Sequence, residues 1–141
     1  MSYLRDEFKL LIGEKTAESV KMAIAAVEEG HFMEAQVRGR DLVTGLPREV
    51  IITDSDIREA IAPAVTQLVE DVREVLETTP PEILSDVMHR GLVLSGGGAL
   101  LSGLDHLLEK ELKLPIYIAE DPLTAVARGA GVVLDDVESY R

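Results

Sequence analysis

The stretch GLVLSGGGALLSGL, residues 91–104, decides the fold of this chain. Three apolar residues lead into a serine and three glycines, and leucines at helical spacing follow at once. The sequence LPIYIA at 114–119 then predicts a second short strand. A strand, a crossover helix and another strand make a βαβ unit, in which the two strands run parallel. We therefore predict parallel strands at about 92–95 and 116–119, joined by a helix that begins directly after the glycines.

The position of the three glycines favours a ligand site. They follow the carboxyl end of a parallel strand, which is the edge at which open α/β sheets bind ligands. A backbone without side chains approaches a nucleotide closely, and free amides at a helix N-terminus suit phosphate or ribose oxygens. The spacings of the dinucleotide-binding and P-loop motifs are both absent. Taken alone, the glycines are therefore also compatible with a tight strand-to-helix turn that binds nothing.

The composition restricts the partners and the chemistry. The 141 residues carry 14 basic and 26 acidic side chains, a net charge of −12 that repels nucleic acid and anionic lipid headgroups. The absence of cysteine excludes disulfides, thiolate zinc sites and cysteine nucleophiles. His31, His89 and His106 lack metal-ligand spacing, so we expect surface or structural roles for them. No apolar run approaches the ~18 residues that cross a bilayer, and no signal peptide is evident, so a soluble cytosolic protein is expected.

The rest of the chain reads as mostly helical. An alanine-rich amphipathic pattern predicts a helix over 16–27, and the runs MEAQVRGRDL and REVIIT on either side of TGLP predict a β-hairpin. Thr53 and Asp56 have the spacing of a helix N-cap with an acidic third residue. Pro63 then either kinks the following helix or separates two helices. A short helix is expected from Pro81 to about His89.

Four stretches resemble the bacterial MreB family of the actin superfamily in sequence and in order. They are LLIGEKTAESVK, VRGRDLVTGLP, TPPEILSDVMHRG and the long segment from LVLSGGGALL to EDPLTAVARGAG. The resemblance implies an α/β fold, a fragment of the actin-like (ribonuclease H-like) ATPase fold drawn from its second large domain. Residues 1–27 and 78–141 would form an incomplete sheet-bearing subdomain (IIA-like), and 28–77 a small inserted α+β subdomain (IIB-like).

The same resemblance implies a nucleotide site with two sides. One side is the turn under the adenosine, formed by Gly96, Gly97, Gly98, Ala99 and Leu100. The other is the helix that carries Glu18, Ser19, Val20 and Lys21. Glu18 would accept a hydrogen bond from a ribose hydroxyl, and the Lys21 stem would lie along the purine; without the family, this pair reads as an ordinary surface ion pair. Gly97 is expected to accept no larger side chain, because a β-carbon would clash with the ribose or need a conformation favourable only to glycine.

In function, the resemblance implies part of an ATP-binding, filament-forming cytoskeletal protein that determines rod shape by guiding cell-wall synthesis. The cofactor would be ATP with magnesium, held mainly by parts of the fold that cannot be matched here, so no turnover by the chain alone is expected. Expected partners are further copies of the protein, a RodZ-like membrane protein and the wall-elongation machinery. The intact protein would lie in the cytoplasm at the inner face of the cell membrane, and we expect no membrane segment in this chain. The alternatives are a docking module that binds no nucleotide and, less compatible with the hairpin motif, a small-molecule kinase.

Two expectations concern the end of the chain and its sheet. Asp121 is placed to cap a helix whose first residue is Pro122, and Ala125 with Gly129 would let another helix approach closely near a hinge, as would Ala127 with Gly131. By resemblance, the chain starts partway through a helix of the family and lacks the hairpin that normally completes this sheet. We therefore expect a sheet of two parallel strands with an uncovered edge.

Overall fold

The structure is a computed structural model that describes residues 1–27, 29–30 and 32–140. The chain divides into two compact units, Met1–Gln67 and Leu68–Arg141. In chain order the elements are α1 (Ser2–Phe8), β1 (Leu10–Leu11), α2 (Glu14–Ile24), β2 (Glu34–Asp41), β3 (Pro47–Thr53), α3 (Asp54–Thr78), α4 (Pro81–Arg90), β4 (Leu92–Leu94), α5 (Leu104–Leu112), β5 (Ile116–Ile118) and α6 (Ala125–Asp135). Short 3₁₀ turns occupy Gly97–Leu100 and Val137–Tyr140.

The first unit is built on a three-stranded antiparallel sheet in the order β1-β2-β3. The predicted hairpin is confirmed: β2 and β3 pair in a register that places Val37 opposite Val50. Its turn is closed by Asp41, whose carboxylate accepts hydrogen bonds from the amides of Val43 at 2.7 Å and Thr44 at 3.1 Å. Aspartate is favoured at turns because its side chain bonds to the backbone two residues on.

A single apolar cluster holds this sheet to the helices of the first unit. It contains Leu4, Leu10, Ile12, Val20, Ile24, Val37, Val50, Ile52 and Ile57, all buried. Along β3 the buried residues alternate with exposed ones, as expected for a strand with one face on the core. Each buried aliphatic side chain of this kind contributes about 1.5–3 kcal/mol to the free energy of unfolding.

Helix α3 begins at the predicted cap and runs without a break. The Asp56 carboxylate accepts from the Thr53 amide at 2.9 Å, and the Asp56 amide donates to the Thr53 hydroxyl at 3.3 Å. This reciprocal pairing is a capping box, so that prediction is confirmed. The 25-residue helix continues through Pro63, so the alternative of two separate helices is wrong. The proline removes one backbone donor from this helix.

The second unit contains the predicted βαβ arrangement. Strands β4 and β5 pair in parallel, with Val93 opposite Tyr117. The crossover helix α5 buries Leu104 and Leu108. It begins at Leu104, however, and not directly after the glycines, because Gly103 takes a left-handed φ of 82° that interrupts the helical pattern. The start predicted for this helix is therefore wrong, and a 3₁₀ turn lies between β4 and α5.

The expected capping role of Asp121 is also wrong. Helix α6 starts at Ala125, with Thr124 in the cap position, so Pro122 lies in the preceding turn. Asp121 has a φ of 44°, in the left-handed region, and this conformation directs the chain into a turn before the helix. Within the described residues no atom lies within 4 Å of a β-carbon placed on Gly129 or Gly131, so a close helix approach at these residues stays a prediction.

Candidate functional site

The glycine turn, defined here as Gly96, Gly97 and Gly98, follows β4 at the carboxyl end of the parallel pair. Gly96 has φ 84° and ψ 172°, a region that is essentially restricted to glycine. Its amide donates to the carbonyl of Pro122 at 2.7 Å, and its carbonyl accepts from the amide of Ala99 at 3.2 Å. The turn is therefore fixed at Gly96 by two hydrogen bonds, one of them to a loop 26 residues further along the chain.

The next two amides are available to a ligand. Within the described part of the chain, neither the Gly97 nor the Gly98 amide donates a hydrogen bond to a protein acceptor. Apart from the adjacent residues, no atom of the described residues lies within 4 Å of a β-carbon built on Gly96 or Gly98, so the space beside both is open. Ala99 is buried and anchors the turn below, whereas Leu100 is 58% exposed. Adjacent amides without a protein acceptor can bind an anion.

The reason for expecting no larger side chain at Gly97 differs from the one predicted. Its φ is outside the left-handed region, so the conformation that only glycine adopts cheaply belongs to Gly96 and not to Gly97. A β-carbon on Gly97 would lie 3.2 Å from the end of the Leu123 side chain, a close but adjustable contact. The expectation for Gly97 therefore depends on a clash with bound nucleotide alone.

The second group of predicted site residues lies on α2, in the first unit. The Lys21 ammonium and the Glu18 carboxylate form an ion pair at 2.6 Å with both side chains about half exposed, which confirms that they share one face of the helix. The Ser19 hydroxyl donates to the Lys15 carbonyl at 2.9 Å, and Val20 is buried in the core of the first unit. Val20 thus fixes the helix on the sheet, while Glu18 and Lys21 remain open to solvent.

The other candidates for chemistry remain without a site. Among the described residues, no group of three or more histidine, cysteine or acidic side chains is arranged to hold a metal ion. His89 ends α4, and His106 lies on α5 with its ring nitrogen 3.9 Å from the Asp105 carboxylate. His31 lies outside the described residues. None of the helices in the described part of the chain combines the length and apolar character needed to cross a membrane.

Sequence reasoning missed the loop that supports the glycine turn. Residues 120–124 contact the turn through the Pro122 carbonyl and the Leu123 side chain. The motif EDPLT predicts a helix start, and nothing in it indicates that Pro122 accepts a hydrogen bond from a glycine 26 residues earlier. This contact becomes visible only when β4 and β5 are paired, because the pairing brings the segments that follow each strand together.

The fold is that of the actin-like proteins. The chain superposes with a TM-score of 0.91 on the crystal structure of MreB5 of Spiroplasma citri bound to ADP, at 37% identity over 96% of this chain and 42% of that one. The AMPPNP-bound form of the same protein gives 0.93, at 36% identity over 99% of this chain and 42% of that one. The filament protein MamK, in a double helical filament, gives 0.74 at 20% identity over 94% of this chain and 41% of that one, a likeness of fold alone.

The chain belongs to the MreB/Mbl protein family, whose model matches residues 1–141. It is 45% identical over 139 residues to the cell shape-determining protein Mbl of Bacillus subtilis, covering 98% of this chain and 42% of Mbl. It is 44% identical over 141 residues to the cell shape-determining protein MreB of Escherichia coli, covering 99% of this chain and 41% of MreB. The chain thus spans about two-fifths of the length of the curated relatives that it matches.

Proposed function

We propose that this chain supplies part of the ATP site and part of the assembly surface of a filament-forming, shape-determining cytoskeletal protein. The observation that carries the proposal is the glycine turn, because its Gly97 and Gly98 amides have no acceptor among the described residues and follow the carboxyl end of a parallel strand. The relatives MreB5 bound to ADP and to AMPPNP, which share the fold at 36–37% identity, support a nucleotide as the ligand.

The chemistry of the two predicted sides fits ATP. The Gly97 and Gly98 amides would donate to oxygens of the adenosine moiety or its first phosphate. The exposed Glu18 carboxylate would accept from the ribose hydroxyls, and the aliphatic stem of Lys21 would cover one face of the purine. Magnesium would be held mainly by parts of the fold that have no match in this chain. The proposed role of the chain is therefore to bind and orient the nucleoside end of ATP.

In this proposal, residues 1–27 and 78–141 belong to one sheet-bearing subdomain and residues 28–77 to a smaller inserted one. The assembled protein polymerises and guides wall synthesis beneath the cell membrane, with a RodZ-like membrane protein and the elongation machinery as partners. The names of the shape-determining relatives support this role.

A replacement experiment tests the proposal in cells. The 139-residue match allows the corresponding segment of Bacillus subtilis Mbl to be exchanged for this chain, giving a full-length protein that we call the Mbl chimera. We expect cells with the chimera as their only Mbl to keep the cell shape of the parent, and purified chimera to form filaments that respond to ATP. A matched chimera in which Glu18→Ala and Gly98→Val are combined should fold, bind ATP weakly and fail to support normal shape.

A docking module that binds no nucleotide is the competing function. The exposed apolar residues of the hairpin turn, Leu42, Val43 and Leu46, are compatible with a protein contact that needs no ATP. If the double variant supports normal cell shape as well as the unaltered chimera does, the docking function replaces the proposed one.

A further inference from the structure

The loop between β5 and α6 is held by its own network of hydrogen bonds. The Thr124 amide donates to the Asp121 carbonyl at 3.1 Å, and the Thr124 hydroxyl donates to the Asp121 carboxylate at 2.5 Å. The Arg128 guanidinium, in the first turn of α6, donates to the Glu120 carbonyl and, at 3.4 Å, to the Asp121 carbonyl. Charge-assisted hydrogen bonds of this kind are stronger than neutral ones.

These bonds fix a conformation that is otherwise unfavourable. Asp121 has a left-handed φ of 44°, which a residue with a β-carbon adopts at a cost and which persists only when its surroundings enforce it. Arg128 donates to the carbonyls of Glu120 and Asp121, and Thr124 donates to the Asp121 carboxylate. The network therefore holds the backbone of Glu120 and Asp121, which leads directly into Pro122.

The Pro122 carbonyl is the acceptor for the Gly96 amide, at 2.7 Å, and Pro122 is buried. The Leu123 side chain lies against Gly97, and its end is 3.2 Å from the place that a β-carbon on Gly97 would take. A chain of contacts thus leads from Arg128, through the loop, to the glycine turn, whose two free amides follow directly. All of these residues lie in the second unit, so the chain of contacts needs nothing from the first.

We infer that Arg128, acting through the turn at Asp121–Thr124, is a positioning residue for nucleotide binding: it orients the glycine turn without touching the ligand. The inference rests on the proposed function for its nucleotide, but not for the link between Arg128 and Gly96. A planar guanidinium can donate to two carbonyls at once, whereas the lysine ammonium is a compact point charge. Arg128→Lys should therefore keep the charge and lose most of the effect.

Amide exchange in the 141-residue chain tests the link directly. By NMR, we expect the Gly96 amide to exchange at least ~10-fold faster in Arg128→Lys and Arg128→Ala than in the unaltered chain, which is the loss of about one charge-assisted hydrogen bond. The Leu108 amide, in the buried part of α5, should exchange at its original rate. The matched control is Arg90→Ala, because Arg90 is exposed, lies in the same unit and makes no side-chain hydrogen bond or ion pair among the described residues.

The ligand arm uses ATP itself as the probe. ATP added to the unaltered chain and to Arg90→Ala should shift the Gly97 and Gly98 amide resonances, and Arg128→Lys should need about tenfold more ATP for the same shift. If the unaltered chain gives no shift, the proposed function fails, while Gly96 exchange still decides the link to Arg128. Unchanged Gly96 exchange in both Arg128 variants, or a parallel rise at Gly96 and Leu108, overturns the inference, since the second result means general destabilisation.

Discussion

Replacing the glycines of the turn one at a time should separate backbone strain from ligand contact. Gly96→Ala forces a β-carbon into a conformation that is essentially restricted to glycine, at φ 84° and ψ 172°. The cost of such a conformation is about 1–3 kcal/mol, a large part of the 5–15 kcal/mol that typically holds a domain together. Gly98→Ala should change the free energy of unfolding by less than about 0.5 kcal/mol, because its backbone is outside the left-handed region and its β-carbon meets open space.

Urea unfolding of the 141-residue chain, followed by circular dichroism, measures this difference. We expect a lower urea midpoint for Gly96→Ala and an unchanged one for Gly98→Ala. Equal midpoints for Gly96→Ala and the unaltered chain would refute the assignment of strain to Gly96.

Nucleotide binding by the Mbl chimera should rank these variants differently. Gly98→Ala and Gly97→Val keep the fold but place carbon where the nucleotide is proposed to lie. We expect each to weaken ATP binding about tenfold or more, because a steric clash that costs at least ~1.4 kcal/mol of binding free energy raises Kd by that factor. Gly97→Val also has to displace Leu123, whose side chain is 67% exposed and free to move aside. Calorimetric titration with ATP gives the affinities. Normal affinity in both variants, with normal stability, would show that the turn is only structural.

Three further predictions concern the chain by itself. Steady-state phosphate release should be undetectable, because phosphoryl transfer needs a metal, a positioned water and phosphate clamps together; measurable turnover that is lost in Gly97→Val would contradict this. The chain should self-associate equally with and without ATP, because β4 and β5 form a two-stranded sheet among the described residues, with uncovered edges, and Val93 is 66% exposed. Light scattering should show less association for Val93→Lys, and a monodisperse monomer at high concentration would contradict the prediction. Burial raises the pKa of Tyr3 to about 12, together with the Glu59 carboxylate 3.1 Å from the Tyr3 hydroxyl. The protonated hydroxyl therefore contributes fully to the free energy of unfolding below about pH 10, and this contribution is lost as the pH rises through about 12. Tyr3→Phe should remove this part of the alkaline loss of stability, and an identical loss in both proteins would contradict the prediction.

The parts of the fold that the sequence predicted well are those set by neighbouring residues. The hairpin follows from alternating polarity about the TGLP turn, and the capping box from the spacing of Thr53 and Asp56. The parallel pair follows from a strand, a leucine-rich helix and a second strand, a pattern with one topological solution. The hairpin and the capping box are fixed by interactions within a few residues of the pattern, and the parallel pair by the short crossover that joins its strands.

The errors lie where a distant contact or a single backbone torsion decides the conformation. Gly103 delays the start of α5 by taking a left-handed φ, and Asp121 does the same before α6. The left-handed torsion of Gly96, and not of Gly97, is fixed by a hydrogen bond to Pro122. Runs of glycine do not reveal which member takes the unusual torsion, because every glycine is permitted to do so.

Photolabelling of the Mbl chimera with 8-azido-ATP tests the central claim most directly, since the reactive group is attached to the adenine that this chain is proposed to bind. After irradiation and digestion, mass spectrometry should find the label on peptides from α2, around Glu18 and Lys21, and from the glycine turn at 96–100. An excess of ATP should abolish the labelling of both. Competable labelling confined to the parts of the chimera that come from Mbl, with none on either of these segments, would contradict the account.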